Sequence, residues 1–133
     1  MVNCEGSFQL VSTENDDAVF VALGMSFVMR KMIQSIKPTI TVAINGDHWT
    51  ITTKTSIKTK VHEFDLGVPH KLTRVDGKVV TGVVTKENDH KLLDKHTDDA
   101  GVTVIGTREF TDTQMVHTMR VGDIVGVRTY QRI

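Results

Sequence analysis

Residues 39–55 read TITVAINGDHWTITTKT, and this stretch decides the fold. Thr39 to Ala43 and His48 to Thr55 are rich in β-branched residues and alternate in polarity, the period of a half-buried strand. Between them Asn45-Gly46-Asp47 is a hairpin turn, so two antiparallel strands follow directly. The same grammar continues downstream in Lys58 to Phe64, Lys71 to Val75, Lys78 to Thr85, Lys91 to Lys95, Val102 to Phe110, Gln114 to Val121 and Ile124 to Gln131. Asp76-Gly77, Asn88-Asp89, Asp98-Asp99-Ala100-Gly101, Thr111-Asp112 and Gly122-Asp123 punctuate them as turns. With Cys4 to Val11 at the front, the chain holds about ten short strands at the spacing of a meandering sandwich or barrel. A closed sheet of that size is wider than the barrels that side chains fill, which leaves room for an internal ligand cavity.

Only residues 16 to 36 break the strand period. Asn15 and Asp16 read as helix caps, Val19, Phe20 and Leu23 follow at helical spacing, and Gly24 ends the pattern. A second helix begins near Ser26 with Phe27, Met29, Met32, Ile33 and Ile36 as its apolar side, and must stop before Pro38. This helix-turn-helix hairpin is too small to be a domain and suits a lid over one mouth of the sheet.

The 133 residues are enough for one core, so residues 1–133 are expected to form a single domain. Sixteen basic and sixteen acidic residues cancel, which gives no reason to expect a nucleic acid as partner. Cys4 is the only cysteine, so no disulfide can form within the chain, and the opening residues lack the features of a signal peptide. A cytoplasmic location is expected. No apolar run reaches the length of a membrane-spanning helix.

On the last strand Ile124, Gly126, Arg128 and Tyr130 share one face, because alternate residues point the same way. Arg108 lies two strands upstream and can reach the same wall. Arginine on a strand is ordinarily a solvated outward residue. Two arginines and a phenol facing inward would instead form a receptor for a carboxylate, since buried cations need an anion or ordered water as partner. His117 alternates with Met115 and Met119, so the same wall would carry an imidazole between two flexible thioethers. His90 and His96 lie roughly 20 Å apart on a strand at about 3.3 Å per residue, so they share no metal ion, and that segment reads as a solvated strand. No nucleophile elbow or phosphate loop is present, and neither catalysis nor a cofactor is expected.

Together these segments resemble the cytoplasmic fatty-acid-binding proteins of the intracellular lipid-binding family over essentially the whole chain. The resemblance rests on Gly6-Ser7-Phe8-Gln9-Leu10-Val11, Glu14-Asn15, Leu23-Gly24 with Phe27 and Arg30, Lys37-Pro38-Thr39, Asn45-Gly46-Asp47, Phe64-Asp65-Leu66-Gly67, Arg108-Glu109 and Arg128-Thr129-Tyr130. It implies an all-β fold, a ten-stranded antiparallel up-and-down β-barrel (β-clam) with the helical lid between its first two strands. By position it implies that Arg108, Arg128 and Tyr130 hold a fatty acid's carboxylate. It also implies that Ile40, Ile51, Thr53, Thr55 and Ile57 line the cavity, and that Phe20, Met32, Ile57, Val75 and Asp76 surround the portal. The chain departs from the family at Phe8, where tryptophan is usual, at Asp16, often phenylalanine, and in extra residues near 87–90 and 98–101.

The expected function is non-enzymatic binding and transport of a long-chain fatty acid such as oleate or palmitate by a monomer. A retinoic acid carrier, or a delivery module whose partner reads the state of the lid, are the alternatives. Arg30, Lys31, Gln34 and Lys37 share a side of the second helix, where Arg30 and Lys31 could meet anionic lipid headgroups during ligand transfer. Trp49 shares the strand face of Ile51 and Thr53 and would report occupancy of the cavity.

Overall fold

The alternation and turn chemistry translate into one sheet. The computed structural model describes residues 3–133. In chain order it contains β1 (Gly6–Glu14), α1 (Asp16–Ala22), α2 (Phe27–Gln34), β2 (Thr39–Asn45), β3 (His48–Lys54), β4 (Thr59–Asp65) and β5 (His70–Thr73). There follow β6 (Val79–Asn88), β7 (Lys91–Thr97), β8 (Thr103–Phe110), β9 (Gln114–Val121) and β10 (Ile124–Arg132). The hydrogen-bonded order is β4-β3-β2-β1-β10-β9-β8-β7-β6-β5, antiparallel throughout, so only β1 and β10 pair out of sequence. The sheet is a nearly closed barrel with two helices between its first two strands.

Closure depends on β1 serving two walls. Its first residues pair with β2 from Gly6 to Gln9, while Phe8 to Glu14 pair with β10. The register slips between Leu10 and Ser12, leaving Val11 as a bulge that bends the strand. The sheet edges β4 and β5 are joined by side chains and not by a ladder. His62 Nε2 lies 2.9 Å from His70 Nε2, and the Phe64 ring stacks on His70 at 5.5 Å.

Two buried clusters seal the ends. At the closed end Phe8 meets Phe110 edge-on at 5.8 Å, and Trp49 lies 6.4 Å from Phe64 and 6.2 Å from Phe110. Trp49 therefore belongs to the floor of the barrel. At the other end Val19, Phe20, Leu23 and Ile33 of the lid bury against Val104. Each such side chain contributes about 1.5–3 kcal/mol relative to exposure. Gly126 is what lets α1 sit down: a Cβ there would lie 2.8 Å from Val19 Cγ2 and 3.3 Å from the Asn15 carbonyl.

The lid differs from expectation in detail. Asn15 does not cap α1 with its side chain; it adopts a left-handed backbone (φ 61°), and its amide donates to the Val125 carbonyl at 2.9 Å. Ser26 does cap α2, accepting from the Met29 N–H at 3.2 Å. Helix α2 ends at Gln34, with Ser35 as C-cap, ahead of Pro38. Its inward stripe is Met29 and Ile33, continued by Ile36 just past the helix end, whereas Phe27, Val28 and Met32 are exposed. A two-turn helix over a cavity mouth can bury only one narrow stripe.

Candidate functional site

Strand register builds the site. In an antiparallel sheet, residues directly opposite one another project to the same face. His117 on β9 is opposite both Arg108 on β8 and Arg128 on β10. One row toward the closed end stand Phe110, Met115 and Tyr130; one row toward the lid stand Gly106, Met119 and Gly126. The row of Arg108, His117 and Arg128 faces the barrel interior, together with Tyr130 and Met119, around an inner chamber of about 210 Å³. Ile40, Ile51, Thr53 and Phe20 complete much of its apolar lining.

Six residues, among them Thr53, His62 and Val75, also line an adjoining chamber of about 780 Å³ between α2, β4 and β5. Met32, Thr55 and Ile57 line this outer chamber only, as do Ile33 and Ile36. The chambers make one path from the seam under α2 to the arginine row. The outer chamber by itself is in the range of about 300–1,000 Å³ typical of small-molecule pockets.

The polar lining is unusually charged for so enclosed a space. Burial pushes the Arg108 guanidinium below its ordinary pKa, though Tyr130 and Asp94 oppose that. His117 is held well below the ordinary imidazole value by burial and then by the flanking Arg108 and Arg128, so it is neutral. Gly106 leaves the space beneath His117: a Cβ there would lie 3.5 Å from His117 Nε2. Asp94 and His96 also face the inner chamber, with His96 Nδ1 3.7 Å from Asp94 Oδ2. This corrects the solvated reading of that strand, which overlooked that Asp94 and His96 fall on its inward face.

The structure also distributes the expected portal residues. Met32, Ile57 and Val75 are more than half exposed at the outer chamber. Phe20 is buried beneath the lid and reaches the inner chamber instead. Asp76 is in the β5–β6 turn, but its carboxylate is buried in a two-pronged pair with Arg74: Nε at 2.9 Å and Nη2 at 2.6 Å. Arg74 Nη1 also reaches Asp98 at 3.4 Å, and Asp98 accepts from the Ala100 and Val102 N–H groups. The β7–β8 turn is thus clamped to the β5–β6 turn. Arg30 is not a membrane-facing cation: its Nε donates to Asp17 at 2.9 Å and its Nη1 to the Met25 carbonyl at 2.9 Å, which ties the two helices together. Lys31 is exposed beside the Phe27 ring, its Nζ 5.5 Å from the centroid.

The spacing reads Asp16 as a helix cap and Asp98 as a turn residue, whereas Asp16 is the first residue of α1 with its carboxylate beside Arg128, and Asp98 meets Arg74; Arg74 and the pair His62 and His70 carry no signal of their contacts in the strand pattern. Asp16 had a visible signal, an acidic residue directly beside Asp17 at the start of a short helix otherwise built on Val19, Phe20 and Leu23. Arg74 followed two residues later by Asp76 was a second.

A lidded barrel with a largely apolar internal path that ends at Arg108, His117 and Arg128 defines the architecture of an internal-cavity binding protein. Residues 5–133 match the family model described as Lipocalin / cytosolic fatty-acid binding protein family, and the chain belongs to that family. It is 38% identical over 132 residues to a fatty acid-binding protein of Tyrophagus putrescentiae, covering 99% of each chain. It is 35% identical over 133 residues, all of both chains, to the fatty acid-binding protein type 3 of Fasciola hepatica. Among solved structures, the Schistosoma mansoni fatty acid binding protein in complex with arachidonic acid superposes with a TM-score of 0.92 at 31% identity, covering 97% of this chain and 95% of that one.

Proposed function

We propose that this protein binds and carries long-chain fatty acids in the cytoplasm as a non-enzymatic monomer. The carboxylate is held by Arg108, Arg128 and Tyr130, and the acyl chain runs toward the outer chamber under α2. The observation that carries this reading is the inward row of Arg108, His117 and Arg128 with Tyr130 beside it, at the inner end of an otherwise largely apolar path. Family membership supports the ligand class.

Binding is an equilibrium between water and cavity. Apolar surface of the chain leaves water at about 25 cal/mol per Å². The carboxylate exchanges its hydration for charge-assisted hydrogen bonds, which are short and roughly twice as strong as neutral ones. Met119 and Met115 offer adaptable, polarizable surface near the head group. Exit passes the portal around Met32, Ile57 and Val75, where exposed Phe27 and Lys31 on α2 can touch an anionic membrane.

Displacement of a fluorescent fatty acid by oleate, palmitate and retinoic acid, from delipidated wild type and from Arg128→Leu, tests this function. Tight oleate competition that weakens by about tenfold or more on substitution is the expected result. Competition by retinoic acid without oleate would replace the reading with a retinoid carrier. A probe that never binds would leave the fold without this function.

A further inference from the structure

Asp16 is the first residue of α1, and its carboxylate points into the barrel wall, not into solvent. The side chain is 4% exposed, and Oδ2 lies 3.2 Å from Nε of Arg128, itself 11% exposed. The contact is an ion pair by distance only. Among the described residues, neither Asp16 oxygen has a hydrogen-bond partner, nor does Arg128 Nε. Burial raises the Asp16 pKa, and the charge of Arg128 opposes that rise.

Two consequences follow from the chemistry. A guanidinium enclosed in a barrel is costly without an anion, so Asp16 neutralises Arg128 when no ligand is present. A pair held by charge without aligned hydrogen bonds leaves the donor capacity of Arg128 unspent. An incoming carboxylate free to orient itself can make the aligned bonds that Asp16 does not. Two carboxylates at one guanidinium repel, so occupancy by one disfavours the other.

We propose that Asp16 is the resident counter-ion of Arg128 and a specificity-determining residue, which competes with the carboxylate of an anionic lipid and thereby couples head-group binding to the seating of α1. The inference rests on the fatty-acid reading above and deepens it. The coupling has a short mechanical path. Asp16 opens the helix whose Val19 presses on Gly126, two residues from Arg128 on the same strand. A ligand that displaces Asp16 therefore loosens the first turn of the lid.

The test compares wild type with Asp16→Asn, an isosteric neutral variant, for oleate and for the uncharged oleyl alcohol in the same displacement assay. The inference expects oleate to bind about fivefold tighter or more in the variant, the low end of ordinary coupling between sites, with oleyl alcohol unchanged. Equal or weaker oleate binding in a folded Asp16→Asn overturns it. So does equal tightening of both ligands, which would indicate a looser lid and not a competing charge. Should Asp16→Asn fold poorly, Asp16→Ser removes the same charge with a smaller side chain and carries the same expectations. A wild type that binds neither ligand brings down the carrier reading together with this inference, whereas normal oleate binding unaffected by Asp16 brings down the inference alone.

Discussion

His62 and His70 meet ring nitrogen to ring nitrogen at 2.9 Å across the one seam where neighbouring strands of the barrel share no ladder. One imidazole must donate and the other accept, so the contact exists only while at least one ring is neutral.

Acid should therefore open this seam. The pKa of His62 is pushed down to about 4, first by burial, then by His70 and Arg108. Because the folded value lies below the unfolded one, the unfolded chain takes up the proton first. Stability is then lost as pH falls from about 6.5 toward 4, by about 3 kcal/mol at most from His62. His117, shifted the same way, adds to the loss, while Asp16, shifted upward, works against it. Thermal melts across this range should show a Tm that declines with acid, and a shallower decline in His62→Gln. An unchanged slope in that variant would remove His62 from the effect.

His117 is neutral between two guanidiniums, so a leucine there keeps the volume of the row and removes its only uncharged polar group. Oleate affinity in His117→Leu is expected to fall by about threefold to tenfold, the worth of one ordinary hydrogen bond. Titration calorimetry that finds the affinity unchanged would take His117 out of the ligand's reach.

At Gly126 a methyl group has nowhere to go. The neighbouring Asn15 and Glu14 carbonyls lie 3.3 and 3.5 Å from the Cβ position, and Val19 Cγ2 lies at 2.8 Å. Gly126→Ala should lift α1, cost about 1–3 kcal/mol by overpacking, and speed ligand exchange measured by stopped flow. A variant as stable as wild type would mean that the lid has slack there.

Transfer to vesicles separates the cations of α2. Arg30 is engaged with Asp17 and Met25, so its substitution reports lid integrity, and Lys31→Glu is the cleaner probe. If α2 touches anionic membranes, Lys31→Glu should reduce the rise in transfer rate with anionic lipid content, at about 1 kcal/mol per cation near the surface. Rates indifferent to vesicle charge in both proteins would count against membrane contact.

Much of this architecture is written locally. Alternation and turn residues mark all ten strands to within a few residues, because each strand meets a core on one side only. Spacing puts Arg128 and Tyr130 on one face of β10, but periodicity does not say which face is inside; that expectation comes from the resemblance, and the register sets this face toward the inner chamber. What spacing does not encode is contact across separate elements. Asp16 looks like a cap because its partner lies 112 residues away in sequence, at Arg128. The seam between β4 and β5 looks like any other hairpin, since strands adjacent in sequence normally pair. Asp98 appears as one acid in a polar turn until Arg74 is brought beside it. Exposure of Phe27 and Met32 was equally hidden, because helical spacing cannot say how wide a stripe the neighbours cover.

The out-of-sequence pairing of β1 with β10 also dictates an order of events. Apart from β1–β2, which the two lid helices separate, every other ladder joins consecutive strands and can zip as a local hairpin, but Phe8 finds Arg132 only after the intervening chain has been gathered. Loop closure over that span is the entropically slow step of such a topology. The strand that performs it also carries Arg128 and Tyr130. On the proposed function, hairpins formed before this strand docks hold no complete receptor, so ligand stabilises only the closed barrel. Thereafter it acts as a brake on unfolding.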